Sequence, residues 1–202
     1  IKNEKQASEI YDTIKKSNFN VGNITKKKTK RNPYPAFTTS TMQIESSRKL
    51  GLSASQTMRT AQKLYEGTEI DGETTGLITY MRTDSVVMSN EAINQVRNFV
   101  GENYGNEYLP DTPREYKSKA KNAQEAHEAI RPTDLARLPK DVKALLDNDQ
   151  ARLYELVWNR TLASQMESVR LERTTIEMAS EDKTLGLRAS GSVIVFDGFL
   201  KL

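Results

Sequence analysis

The chain has 202 residues, 28% charged and 36% apolar, with a formal net charge of +3, and it contains no cysteine. That composition fits a folded globular chain, which at this length buries roughly 70% of its unfolded surface. It excludes disulfides, thiolate metal sites and a thiol nucleophile. No apolar run approaches the ~20 residues of a membrane span and the first ten residues lack a signal-peptide pattern, so no membrane partner and a cytoplasmic location are expected. The mild basic bias permits a nucleic-acid partner without demanding one.

In chain order, Ile10, Tyr11 and Ile14 predict a short helix within Gln6 to Asn18, after a cap at Ser8. Phe19, Val21 and Ile24 then lead into a basic run from Lys26 to Arg31, read as a strand ended by Asn32-Pro33 and Pro35. A helix capped at Thr39 or Ser40 is expected to end at Gly51. A second follows the capping-box pattern Ser53 to Gln56 and stops at Gly67, with Ala54, Met58, Ala61 and Tyr65 on one face. Asp71-Gly72 signals a hairpin or loop. Gly76 to Met81 reads as a short strand, and the polar group Arg82-Thr83-Asp84-Ser85 lies at its exit. Ser89 caps a helix from about Asn90. Asn122 to Asp134 predicts a helical turn closed by Pro132, Pro139 opens a short helix to Leu146, and a longer helix runs from Asp149 to about Glu167. From Leu171 the pattern becomes β-ribbon.

The expected class is α+β: a mainly helical domain at residues 33–167, with helix-turn-helix-like elements, hanging from a β-rich domain formed by both chain ends, 1–32 and 168–202. Without an initiating methionine at Ile1, the chain reads as a fragment.

GLITYMRTDS at Gly76 to Ser85 closely resembles the active-site segment of bacterial type IA DNA topoisomerases. PAFTTSTM at Pro35 to Met42, NAQEAHEAIRPTD at Asn122 to Asp134 and FDGF at Phe196 to Phe199 agree with that family in the same order. The resemblance implies that Tyr80 is a nucleophile forming a covalent bond to the 5′ phosphate of a broken DNA strand. A second DNA segment passes, the strand is resealed, and negatively supercoiled DNA is relaxed without a nucleotide cofactor. It implies that Arg82 contacts the scissile phosphate, and places His127 and Arg131 near the cleavage site as DNA contacts. It also implies that magnesium is held by a Toprim domain that these residues lack, so this chain binds no metal itself and is inactive alone. The partners implied are single-stranded and negatively supercoiled duplex DNA, met by a monomer at the bacterial nucleoid.

Chemistry independent of the resemblance agrees with part of this. A phenol ionises near pH 10, so about one in a thousand is phenolate at neutral pH and a nearby cation is expected. If residues 76–82 are extended, Tyr80 and Arg82 share a face, and one guanidinium can serve both phenolate and phosphate. Plainer readings compete at each position. Tyr80 can be a half-buried core residue with its hydroxyl at the rim, and Arg82 can pair with Asp84. His127, the one histidine, can be a packing or capping group; Glu125 and Glu128 flank it and would favour its charged form. Arg131 is either a phosphate contact or the ion-pair partner of Glu128. Thr38 to Thr41 are assigned to helix capping, and the Lys26–Arg31 run is either a solvated strand face or a set of non-specific phosphate contacts. The alternative function is a non-catalytic helix-turn-helix DNA-binding module, for which the second helix offers only Arg59 and Lys63.

Overall fold

The computed structural model describes residues 1–70, 72–117 and 127–202. The chain divides into two compact units, one of Ile1–Arg31 with Val169–Asp197 and the other of Asn32–Ser168 with Gly198–Leu202. The class is α+β.

The first unit carries helix α1 (Glu4–Lys16) and an antiparallel three-stranded sheet of β1 (Phe19–Arg31), β4 (Val169–Ser180) and β5 (Gly186–Phe196), with β4 in the centre. The cap of α1 is Asn3, which accepts the Gln6 N–H, so the helix starts earlier than the Ser8 reading allowed. The basic run lies on β1, an edge strand, where Lys26 pairs with Glu172 of β4 at 3.4 Å.

The second unit holds the core. Helices α2 (Thr39–Leu50), α3 (Ala54–Glu66), α4 (Asn90–Tyr104), α5 (Pro139–Val142) and α6 (Asn148–Gln165) surround Phe37, Met42, Leu64, Leu77, Ile130, Leu153, Tyr154 and Leu162, all fully buried. Thr38, one residue before the predicted cap, caps α2 in a reciprocal box with Thr41, because its extended backbone lets its hydroxyl reach the Thr41 N–H. Gly51 ends the helix in the left-handed conformation that a Cβ disfavours. In α6, Asp147 and Gln150 form a second box.

The face of α3 differs from its apolar pattern. The buried residues are Thr57, Thr60, Ala61 and Leu64, whereas Ala54 and Tyr65 are exposed. Thr57 can be buried because its hydroxyl donates to the Ser53 carbonyl at 2.9 Å, leaving its methyl to pack. After α3 the chain makes a hairpin of β2 (Thr68–Ile70) and β3 (Glu73–Thr75) and returns to the end of α3 at Gly76. A Cβ on Gly76 would stand 2.5 Å from the Tyr65 carbonyl oxygen, so only glycine permits this approach.

Candidate active site

Gly76 to Met81 form no strand, contrary to expectation, and the irregular chain continues to residue 87. A single antiparallel bridge, Ile78 opposite Pro132, occurs there, and the chain bends at Thr79 and Met81. Hydrogen bonding shows why the ladder stops. On one side of the bridge Thr133 donates its N–H to the Leu77 carbonyl at 3.0 Å, and on the other Thr79 donates to the Arg131 carbonyl at 2.9 Å. Pro132 fits between these bonds because its missing N–H is not needed. The reciprocal bond, Arg131 N–H to the Thr79 carbonyl, is replaced: Arg131 donates to the Thr79 hydroxyl at 3.1 Å, and that hydroxyl donates to the Ala129 carbonyl at 2.8 Å. Ile130 gives its N–H to Phe37 instead, at 2.8 Å. Tyr80 therefore leaves the ladder at its first residue past Thr79.

Three other elements fix the segment. At its start, Leu77 donates to the Leu64 carbonyl on the last turn of α3 at 2.8 Å, and the Thr133 hydroxyl donates to the Gly76 carbonyl at 2.7 Å. Beyond Tyr80, the first turn of α2 takes over. Thr39 donates its N–H to the Thr83 carbonyl at 2.9 Å and its hydroxyl to the Met81 carbonyl at 2.8 Å, and the same hydroxyl accepts the Thr83 N–H at 2.9 Å. Thr38 and Thr41 cap the helix, but Thr39 acts as a staple for residues 81–83. Further on, Ala129 donates to the Val87 carbonyl and packs with Ala36, Met88 and Ala92 in a small buried cluster.

The Tyr80 ring is half-buried in this frame. His127 lies beside it with ring centroids 5.2 Å apart and a 52° tilt, and Tyr65 meets it edge to face at 5.4 Å and 66°. Tyr80, His127 and Tyr65 thus come together from three separate stretches of chain. His127 is exposed; Glu125, and with it the helical turn expected from Asn122, begins outside the described residues. From His127 on, the backbone is not helical but bridges Phe37 and Ile78 through Ile130 and Pro132.

Arg82 is exposed, and among the described residues neither an ion pair nor a hydrogen bond engages it or Asp84. With bends at Thr79 and Met81, the segment is not the extended strand on which Tyr80 and Arg82 were expected to share a face. Arg131 takes the ion-pair arrangement: its Nε donates to Glu128 Oε2 at 2.6 Å and its Nη1 to the Pro132 carbonyl at 3.0 Å. Burial works against ionisation of Glu128, but the Arg131 guanidinium together with the Ser89 hydroxyl and N–H holds its carboxyl below the usual range. Glu128 is therefore committed to Arg131 and Ser89 rather than to His127. Thr79, Thr39, Tyr65 and Gly76 shape the site although their sequence pattern suggests only strand, cap, helix-face and turn roles.

On the flank of the α2–α3 pair, Lys63 is tied to Asp147 at 3.2 Å. Among the described residues no group of three or more acidic or histidine side chains is placed to hold a metal ion, and no helix is long and apolar enough to cross a membrane.

The family model for DNA topoisomerase matches residues 1–202. The chain is 53% identical over 202 residues to DNA topoisomerase 1 of Rickettsia bellii, covering 100% of this chain and 25% of that protein. It is 54% identical over 200 residues to DNA topoisomerase 1 of Rickettsia felis, covering 99% of this chain and 26% of that one. Full-length topoisomerase I from Thermotoga maritima has the same fold at a TM-score of 0.83 and 36% identity, over 98% of this chain and 31% of that structure. The chain thus spans about a quarter of the length of these curated relatives. Matched from end to end, it belongs to the DNA topoisomerase family.

Proposed function

We propose that Tyr80 is the nucleophile of a type IA reaction carried out by the full-length protein. The observation that carries this reading is the framing of Tyr80, a half-buried phenol on an irregular segment bonded to α2, α3 and residues 129–133, with His127 at its ring. A nucleophile must be both accessible and held, and this placement offers both.

In the reaction the Tyr80 hydroxyl oxygen bonds to phosphorus and gives up its proton. The bond from phosphorus to the 3′ oxygen breaks, and that oxygen leaves as a hydroxyl after taking a proton. The 5′ phosphate stays on Tyr80. One phosphodiester is exchanged for another, so resealing by the reverse step needs no ATP. Passage of a strand through the break relaxes negatively supercoiled DNA. Arg82, exposed and uncommitted among the described residues, is suited to grip the scissile phosphate through its guanidinium fork. His127, beside the Tyr80 ring, is suited to a second contact. Arg131 reaches DNA only by sharing its guanidinium with Glu128.

Magnesium, in this reading, is held by acidic residues of a Toprim domain outside these 202 residues, where it would stabilise charge on the phosphate. The protein acts as a monomer on single-stranded and supercoiled DNA in the bacterial cytoplasm, at the nucleoid. These residues alone are expected neither to cleave nor to rejoin, and relaxation of plasmid by the purified chain would refute that.

The deciding experiment incubates the full-length protein with a single-stranded oligonucleotide and magnesium, then looks for a protein–DNA adduct that survives denaturation. The expected adduct disappears in Tyr80→Phe. An adduct that persists in Tyr80→Phe overturns the assignment.

A further inference from the structure

We infer that Tyr65 is a positioning residue for Tyr80, fixing the ring of the nucleophile through direct contact. This rests on the role proposed for Tyr80. Four observations carry it. Tyr65 lies on the last turn of α3 but outside the buried face of Thr57, Thr60, Ala61 and Leu64. Its side chain is 41% exposed, far more than a core tyrosine such as Tyr154 at 0%. The ring is nonetheless engaged, edge to face with Tyr80 at 5.4 Å and 66°. Finally, the backbone of Tyr65 is set against the start of the active segment: its carbonyl oxygen closes on Gly76, and the carbonyl of its neighbour Leu64 accepts the Leu77 N–H.

The helix end thus grips the segment twice, at Gly76–Leu77 through the backbone and at Tyr80 through the ring. The backbone bonds at Thr79 and Met81 fix where Tyr80 starts and leaves, but they do not fix its side-chain torsions. Ring contacts do. A tyrosine ring turns as a unit about two torsions, and the 5.4 Å contact with Tyr65 and the 5.2 Å contact with His127 restrict both. An edge-to-face contact needs the aromatic ring of residue 65 and not its hydroxyl, which separates this role from a polar one.

Two side chains therefore contact the ring of the nucleophile. Tyr65 sits on a thirteen-residue helix that packs on α6.

The test uses the full-length protein with single-stranded oligonucleotide and magnesium, measuring the first-order rate of adduct formation at saturating DNA separately from the Kd. For Tyr65→Ala a rate about ten- to a hundredfold slower is expected, from a nucleophile displaced by a fraction of an ångström, with Kd within about twofold of wild type. Tyr65→Phe should restore the rate to within about twofold, because it keeps the ring. Tyr65→Leu, which keeps bulk on the helix, should stay slow with an unchanged melting temperature; this excludes a folding defect as the cause. A wild-type rate in Tyr65→Ala overturns the inference. So does a raised Kd at an unchanged rate, which would make Tyr65 a DNA contact, or a slow Tyr65→Phe, which would assign the effect to the hydroxyl. Tyr80→Phe run beside these keeps the two readings apart: an adduct surviving there sinks the nucleophile assignment, whatever Tyr65 does.

Discussion

In the sheet unit β1 and β4 stay paired from Phe19 opposite Ser180 to Arg31 opposite Val169, and β4 continues the ladder to β5, yet Val169 and Ser180 are the buried residues among its strands. Residues 76–87 of the helical unit show the reverse. They have one bridge and two bends, but Leu77, Ile78 and Met81 are at most 1% exposed. Regular hydrogen bonding and a packed interior are thus separable. A ladder makes each side chain alternate between faces, which leaves no freedom to aim one. An irregular segment pinned by packed helices and by the hydroxyls of Thr39 and Thr79 can direct Tyr80 independently of its neighbours. The difference teaches that rigidity at the candidate site comes from the surroundings and not from the local backbone.

The largest effect that would break this contrast comes from the core. Phe37 is fully buried, so Phe37→Ala should destabilise the helical unit by about 3–5 kcal/mol. Val193→Ala on β5, at 68% exposure, should change stability by less than about 0.5 kcal/mol. Trp158, the one tryptophan, lies on α6, so its fluorescence in a urea titration follows the helical unit. Equal losses for the two variants would mean that the sheet has a core of its own.

A smaller loss tests the break in the ladder. Thr79→Val keeps the shape of the side chain but strands the Arg131 N–H and the Ala129 carbonyl, at a cost of about 1–3 kcal/mol. Adduct formation should fall by more than the stability change alone would bring, and Thr79→Ser should recover most of it. If Thr79→Val cleaves as fast as wild type, the hydroxyl does not direct Tyr80.

Much of this frame was legible because it is local. The Ser89 cap, the stop at Gly67 and the Glu128–Arg131 pair depend on residues within a few positions of one another, and the β-ribbon expected from Leu171 shows in its own alternation. The segment 76–81 was misread as a strand because apolar and β-branched residues describe a strand's composition and not its partner. Its actual partners, Thr39, Leu64 and Arg131, are dozens of residues apart in sequence. The buried face of α3 was missed for another reason: threonines whose hydroxyls bond the helix backbone pack as apolar groups, which binary patterning counts as polar. Tyr65 meets Tyr80 across the β2–β3 hairpin, and no periodicity spans that excursion.

On the sheet, the basic run gives a subtler readout. Lys27, Lys28 and Lys30 are exposed on edge strand β1. If they meet single-stranded DNA in the full-length protein, changing all three to Gln should lower the slope of log K against log salt by about 0.7 for each phosphate no longer neutralised. Melting of the helical unit should not move. An unchanged slope would leave the run as a solvated face.

The smallest effect concerns Glu128. Its carboxyl is held below its ordinary range in the folded chain, since the Arg131 and Ser89 bonds outweigh the opposing burial. A group depressed on folding stabilises the fold above its unfolded pKa, about 4.3 for glutamate, and that contribution fades as pH falls through the folded value. Glu128→Gln cannot ionise, so the difference in urea midpoint between wild type and variant should be fully present at neutral pH and shrink as the pH falls below the ordinary glutamate range and through the lowered folded value. The effect should be modest because the pair is partly solvated, with Glu128 at 32% side-chain exposure. A difference that stays constant down to low pH would assign Glu128 a packing role, and the anchoring of residues 128–131 beside Tyr80 would then rest on their bonds to Thr79, Phe37 and Val87.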